Sequence, residues 1–531
     1  MKKRFPHTYV IVFYIIIISA ILTWILPGGE FERRKIDING SKREVVIKDT
    51  YHKINSKPQT WEIFAALFKG FVERANIIGF ILIIGGAFWI LNKTNALKYG
   101  IKSFLKKRHV VEKYKFFRLL GIDRIIIVLI MLLFSLFGAS FGMSEETIAF
   151  TIIFVPLAIS MGYDSIIGVS MCFTAAALGF AGAFLNPFTV GIAQGIAELP
   201  AFSGIEYRLI CWIILNIVGI SYILIYAERL KSKNIVSSVA EEDKEWNIEN
   251  RNSLNMSYIK TNTKIYVLFS IVSVVLIIVS FIYPSTFFSF QNSTVKIPII
   301  PILAVFYIIL NLLILKRSIH YFILNLLIFT ILFLIVGVLA YGWYILEIAT
   351  LFLAFGLLVG ISTDYSPNTI AKEFINGVKD ISSAAMIVGL AGGILIILRE
   401  GKVIDTILFY TSNLLTGSGK VGSVSIMYLM QTFINIFIPS GSAQAALTMP
   451  IMAPFSDLIN ISRQTAVLVF QFGDGFTNMI TPTSPVLIGV LGMAKIPYSK
   501  WFKWALPFVS VLIITGFLLL LPPLFFNING F

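Results

Sequence analysis

Apolar runs alternate with short polar ones along almost the whole chain, and most of the runs reach the roughly 20 residues that cross a bilayer. Spans are predicted at 9–26, 76–92, 206–226, 264–283, 298–315, 319–341, 343–361, 380–398 and 504–523. Two further runs, 164–192 and 464–492, are interrupted in the middle by Gly, Pro, Asn and Thr. Two more, 125–160 and 421–459, read as pairs of apolar arms around a polar tip. The first arm of 125–160 counts as only about 14 residues, short for a crossing. That favours a re-entrant hairpin entering and leaving on one side. The pattern predicts an all-α polytopic membrane protein with about 11 spans and 2 re-entrant hairpins, the broken runs being discontinuous transmembrane helices.

The stretch from Ile438 to Pro485 is the most telling. It carries Pro439-Ser440-Gly441-Ser442-Ala443-Gln444 and then Gln471-Phe472-Gly473-Asp474-Gly475-Phe476-Thr477-Asn478-Met479-Ile480-Thr481-Pro482-Thr483-Ser484 at membrane depth. Non-helical backbone is tolerated there only when buried in protein or lining a wet cavity. Comparable polar groups recur earlier, at Gly138–Thr147 and Gly179–Thr189. Ordinary kinks between packed helices account well for Gly85-Gly86 and Gly392-Gly393. They account poorly for an Asn-Met-Ile-Thr-Pro-Thr-Ser run at mid-membrane.

The two polar sets follow one order. Gly70-Phe71-Val72-Glu73 aligns with Gly377-Val378-Lys379-Asp380, and Gly85-Gly86 with Gly392-Gly393 at the same spacing. Ser144 and Pro156 align with Ser442 and Pro454, Asn186-Pro187 with Thr481-Pro482, and Ala197–Pro200 with Ala494–Pro497. The first copy starts outside and the second inside, so the expectation is two inverted-topology repeats, each with a hairpin and a broken helix, enclosing a site at the midplane. The organisation expected is a first span and outside loop at 1–60, repeat 1 at 61–227, a linker at 228–263, connecting spans at 264–361 and repeat 2 at 362–531. Within 28–60, Asp37-Ile38-Asn39-Gly40 between Ile and Val positions suggests a small hairpin.

A chain 57% hydrophobic and 13% charged leaves no room for a soluble reading of its +15 net charge. The Lys and Arg sit in loops and set orientation instead of binding nucleic acid. Met1-Lys2-Lys3-Arg4 and the ten Lys/Arg between Lys93 and Arg124 put the amino terminus in the cytoplasm. Alternation then leaves the carboxyl terminus outside. The first run lacks a cleavage site, so it reads as a span, not a removed signal. Cys172 and Cys211 lie in apolar runs and read as small core residues. The four histidines (His7, His52, His109, His320) form no intramembrane cluster with carboxylates. That argues against metal or His-based catalysis, and no nucleophile–base pair suggests an enzyme. No cofactor is expected.

Ionisable residues at membrane depth are functional candidates; here they are Glu145, Glu146 and Asp474. Neutral partners come from Ser140, Ser144, Thr147, Asn186 and Thr189 in the first copy. The second copy supplies Ser440, Ser442, Gln444, Asn478, Thr481, Thr483 and Ser484. With no Lys or Arg between Ile125 and Val190 or from Val421 to Ser462, the expected pocket is acidic. It would take a cationic group, a coupling Na⁺ or H⁺, or both. Half-helix amino termini would meet a substrate carboxylate. Glu145 and Glu146 also suit the start of a helix after Ser144 as caps, and the two roles can coexist.

Gly142-Met143-Ser144-Glu145-Glu146-Thr147, Asn186-Pro187-Phe188 with Gly191-Ile192-Ala193-Gln194-Gly195, Pro439–Gln444 and Phe470–Ser484 together resemble the YfcC family. That family falls within the C4-dicarboxylate anaerobic carrier (DcuC-type) group of the ion transporter superfamily. The resemblance runs over nearly the whole chain and departs in the polar insert at 228–263. It implies secondary transport across a bacterial inner membrane by a homodimer whose hairpins and broken helices move like an elevator. It also implies that Ser144–Thr147, Ser440–Gln444, Asn186 and Asn478–Ser484 hold substrate and ion.

The leading expectation is a transporter of an amino acid with a cationic side chain, such as arginine or ornithine. The alternative is a Na⁺- or H⁺-coupled dicarboxylate carrier. A channel is a more distant third, since nothing in the chain resembles a ring-type selectivity filter.

Overall fold

The computed structural model describes residues 8–531 apart from 39–40, 48–49, 98, 101–102, 104–120, 201, 247–260, 262, 291–292, 316, 414–418 and 529. Most of the basic loop 93–124 therefore lies outside the described residues. Helices dominate. Among the described residues eight are long and apolar enough to cross a membrane, against the eleven spans expected. Five shorter apolar helices, including Thr147–Ser160, Ser165–Ala181 and Pro485–Ala494, make up much of the difference.

The chain opens with α1 (Thr8–Ile25), a β-hairpin enclosed by the antiparallel pair Gly28–Glu30 and His52–Ile54, and α2 (Glu62–Glu73) running into α3 (Ala75–Lys93). The strand Arg33–Ile38 pairs antiparallel with Ser41–Val46, Ile38 opposite Ser41. The local Ile/Val pattern around the turn anticipated this hairpin. Helix α2 was not anticipated, because its Lys69, Glu73 and polar ends broke the apolar run.

Next come α4 (Ile122–Phe141) and α5 (Thr147–Ser160). Here the expected short arm is corrected. Helix α4 has 20 residues and continues straight through Gly138-Ala139-Ser140, which looked like part of a tip. It ends at Gly142 with φ +77°, a left-handed conformation that costs a residue with a side chain and that glycine adopts freely.

The first broken helix starts at α6 (Ser165–Val169), capped by the Asp164 carboxylate accepting from Ile167 N at 3.1 Å. It passes through a wider π turn (Ser170–Thr174) into α7 (Ala175–Ala181) and breaks. Asn186 then caps the resumed segment, with Pro187 at its first turn, and α8 (Ile192–Ile196) completes it. Proline there gives up only an N–H that has no helical partner. A long helix, α9 (Ile205–Lys231), closes this half.

Helices α10 (Thr263–Ile282), α11 (Ile299–Ile314), α12 (Ile319–Tyr341) and α13 (Ile345–Ser362) follow. A hairpin, Thr286–Phe290 with Ser293–Ile297, sits between the first two. Helix α14 (Pro367–Glu400) has 34 residues, so it begins well before the span expected at 380–398. Ser366 caps it, accepting from Thr369 N. Then come α15 (Ile404–Asn413), α16 (Gly419–Phe437), α17 (Gly441–Leu458), the second broken helix α18 (Arg463–Thr477) and α19 (Pro485–Ala494), and α20 (Tyr498–Leu520).

Small residues set the closest packing, as expected where apolar lipid offers no driving force between helices. A Cβ on Gly70 would lie 2.3 Å from Gly389 O, and one on Gly377 2.5 Å from Gly85 O, so α2 and α3 lie directly against α14. A Cβ on Gly179 would lie 1.8 Å from Ser135 O, which seats α7 on α4. One on Gly473 would lie 2.5 Å from Gln431 Cβ, which seats α18 on α16.

Candidate functional site

The two broken helices run antiparallel. At one end Gln194 of α8 meets Gln464 of α18 at 3.1 Å, and Arg463 donates to Ala197 O at 2.8 Å. At the other end the segment after α9 ties both together. Asp243 accepts from Ser165 N at 3.1 Å, Trp246 Nε1 donates to Ala494 O at 3.3 Å, and Glu245 pairs with Lys495 at 3.2 Å. Midway they cross so closely that a Cβ on Gly475 would stand 2.6 Å from Ala181 Cα.

A cavity of about 160 Å³ opens beside this crossing. The polar tips between α4 and α5 and between α16 and α17 both reach it, through Ser144, Glu145 and Thr147 and through Ser440, Gly441 and Ser442. The second break contributes Asn478 and Ser484, and Phe188 closes the side from the first. The cavity also holds two residues that the sequence did not single out. Arg74, at the junction of α2 and α3, and Tyr344, just before α13, both line it.

Arg74 corrects the expectation of a purely acidic pocket. Its guanidinium interacts electrostatically with Glu145, whose carboxylate also takes a hydrogen bond from Tyr344. Arg74 and Glu145 do not close to an ion pair, so both remain available to a bound solute. Gly392 makes room for the arginine stem, since a Cβ there would be 2.9 Å from Arg74 Cγ. In the sequence Arg74 flanks the 76–92 run and reads as an ordinary interfacial charge. Only the packing of α2 against α14 turns it inward. A buried or half-buried cation beside a carboxylate offset by a gap suits a solute carrying both charges.

Other singled-out residues stand behind the cavity wall. Glu146 is buried and its carboxylate accepts from Ser144 N at 3.0 Å, so it secures the tip; Thr147 helps by donating to Ser144 O at 2.5 Å. Asn186 is spent on structure, accepting from Phe188 N at 2.9 Å and donating to Gly138 O at 3.2 Å. Thr481 and Thr483 share a 2.9 Å hydrogen bond, and Thr483 donates to Ile436 O at 2.7 Å. Gln444 donates to Gln431 O and Oε1 at 2.9 and 2.7 Å. Asp474 and Thr189 are fully buried beside Gly441 and do not line the cavity. Ser140 donates to Leu136 O in its own helix.

The model of the C4-dicarboxylate anaerobic carrier family matches residues 5–522. The chain belongs to that family. Among curated relatives, a protein of Escherichia coli strain K12, named provisionally as a basic amino acid antiporter, YfcC, is 30% identical over 96% of this chain and 94% of its own. An uncharacterized protein of Haemophilus influenzae is 27% identical over 98% of this chain and 97% of its own. Among solved structures, the Alcanivorax borkumensis YdaH transporter aligns over 99% of this chain and all of that one. Its TM-score is 0.40 at 14% identity, too low to establish a common fold.

Membership makes this C4-dicarboxylate anaerobic carrier family protein a multi-pass membrane transporter, which means a lipid bilayer around it and a small-molecule substrate. Among the described residues no three His, Cys, Asp or Glu side chains cluster as a metal site.

Proposed function

We propose that the chain is a secondary active transporter of a zwitterionic amino acid, with basic amino acids such as arginine and ornithine as its first candidates. The observation that carries this reading is the presence of Arg74 and Glu145 in one cavity. Arg74 takes the α-carboxylate in a bidentate, charge-assisted contact. Glu145, oriented by Tyr344, takes a cationic group. Ser144, Ser440, Ser442, Asn478 and Ser484 supply neutral hydrogen bonds from the two tips and the second break. The name of the E. coli relative points to the same substrate class and to exchange.

Transport would alternate access by an elevator-type movement of the tips and broken helices against α2, α3 and α14. Support comes from the two antiparallel broken helices and the matching order of elements around them, which suit inverted-topology repeats. The setting is a bacterial inner membrane with a cytoplasmic amino terminus, and the assembly a homodimer.

A second reading, a dicarboxylate carrier, draws on the family description and on Arg74. It is weaker because the cavity sets Arg74 beside the carboxylate of Glu145, which repels a second anionic end. The decisive experiment is counterflow in proteoliposomes. Labelled arginine should enter vesicles preloaded with arginine or ornithine and saturate. Absence of such exchange, with saturable succinate or fumarate uptake, would overturn the amino acid reading. Non-saturating flux without counterflow would point to a channel.

A further inference from the structure

A second cavity, of about 260 Å³, lies where α3, α5, α14 and α19 meet. Three of these helices pass both cavities in the same order. On α3, Ile77 lines the first and Gly85 and Trp89 the second. On α19, Pro485 and Val486 line the first and Met493 the second. On α5, Thr147 lines the first and Ile152 the second. Ile77, Ile81, Gly85 and Trp89 recur every four residues, which puts them on one face of α3. From Ile77 to Gly85 that face rises about 12 Å. Isoleucines pack across the seam between the cavities. A Cβ on Gly489 of α19 would lie 2.6 Å from Ile148 Cδ1 of α5 and 3.3 Å from Ile81 Cδ1 of α3, and both isoleucines are fully buried.

The second cavity carries charge of both signs. Lys93, the last residue of α3, and Asp380 of α14 line it, and both are exposed. Neither forms an ion pair among the described residues. Lys93 Nζ stands 5.2 Å from the centre of the Trp89 ring, a cation–π contact that holds it at the wall. Glu373, outside the wall, fixes that ring by accepting from Trp89 Nε1 at 2.9 Å and lies within electrostatic reach of Lys93. Lys495 also lines the cavity but is already engaged, by Glu245 at 3.2 Å and by the Trp246 ring at 5.8 Å. Asn92 and Asn95 add neutral amides.

We infer that this cavity is a second binding site for a solute carrying both charges, with Asp380 taking the cationic group and Lys93 the carboxylate. The first cavity offers Arg74 and Glu145 and the second Lys93 and Asp380, so one zwitterion suits both. The isoleucine packing makes them separate stations on one seam. A lysine presents a point charge where arginine presents a fork, so the second site is the weaker. The choice of an amino acid rests on the function proposed above; the cavity and its two charges stand on the geometry.

The test is saturation binding of labelled arginine to the purified full-length protein in detergent, by equilibrium dialysis. The parent should bind two molecules per chain, the second at least tenfold more weakly. Asp380→Asn and Lys93→Gln should each leave one, the tighter, and Arg74→Leu should leave the weaker. Both residues of the second site are exposed, so these variants should melt near the parent; if one of them fails to fold, the other decides. Two molecules still bound after either change would overturn the second site. So would a single parent site that Arg74→Leu removes and Asp380→Asn spares, an outcome that leaves the proposed function standing. A single site that Asp380→Asn removes and Arg74→Leu spares would keep the second cavity and end the role given to the first. No arginine bound at all would end both.

Discussion

The first break, between Ala181 and Asn186, and the second, between Asn478 and Ser484, interrupt two antiparallel helices, yet they spend their polar atoms differently. At the first, Gln471 of the opposite helix donates to Ala181 O and Ala183 O at 2.7 and 2.9 Å. Phe184 N and Leu185 N both donate to Ala139 O, and Asn186 is bonded through both its amide atoms. At the second, Asn435 holds Asp474 O and Thr477 Oγ1, but Asp474 Oδ2 and Asn478 Oδ1 are left over. The two breaks thus differ in how far their side chains are satisfied: the first is braced from the opposite helix, and the second leaves the amide oxygen of Asn478, which lines the cavity, without a partner.

The largest effect that sharpens this contrast is expected at Gln471. Gln471→Leu removes both donors from the first break and the partner that Arg208, itself fully buried, reaches at 2.5 Å. Interhelical hydrogen bonds in membranes contribute about 1 kcal/mol each, and stripping a buried guanidinium of a partner costs more. A stability loss of about 3 kcal/mol or more is expected, read as a steep fall in the folded fraction by size-exclusion melting. A melting temperature close to that of the parent protein would show that the first break does not depend on this brace.

Arg74→Leu comes next and acts on function instead. With no ion pair to lose among the described residues, the variant should melt near the parent while arginine uptake per folded molecule falls about 100-fold, or about 2.7 kcal/mol. Arg74→Lys should recover only part, since an ammonium cannot make the bidentate contact. Uptake unaffected by either change would remove Arg74 from the solute site.

Much of this was legible in the chain, and the illegible part has a common cause. Polar runs at membrane depth such as Ser440–Gln444 and Asn478–Ser484 stand out, because lipid leaves few reasons to keep them. Ser440, Ser442, Asn478 and Ser484 of these runs line one cavity with Ser144, Glu145 and Thr147. The length of α4 was misjudged because Gly138 and Ser140 read as a tip, whereas Gly138 seats the helix against Ala176 O. Arg74 was hidden because its position at a helix junction looks the same in sequence whether it faces lipid headgroups or a cavity. Nor does composition separate Asn186 from Asn478. Only the list of hydrogen-bond partners does that.

The two asparagines provide the direct comparison. Asn186→Ala removes a helix cap and the tie to Gly138 O, for an expected loss of about 1–2 kcal/mol. Uptake should fall only with the folded fraction. Asn478→Ala should change stability by less than about 1 kcal/mol, because Asn435 still holds Asp474 O, but transport per folded molecule should drop tenfold. If the two variants traded behaviours, the division of labour between the breaks would be reversed.

The smallest effect concerns the end where both broken helices are tied by the segment after α9. Asp243 is buried against α6, and burial, with Asp164 and Glu242 nearby, raises its carboxyl from 3.8 to about 6. A carboxyl with a raised folded pKa favours the docked state when protonated. Its contribution is complete below about pH 3.8 and is lost as pH rises through 6. After allowance for partial solvent screening, the effect is no more than about 2 kcal/mol. Amide exchange across residues 237–246 should therefore be slower at pH 5 than at pH 8 once intrinsic rates are corrected, and Asp243→Asn should flatten that difference. Because the same segment also grips Ala494 O and Lys495, loosening at high pH should reach α19 as well as α6. Exchange that changes at α6 alone would mean that the two broken helices are anchored independently at this end.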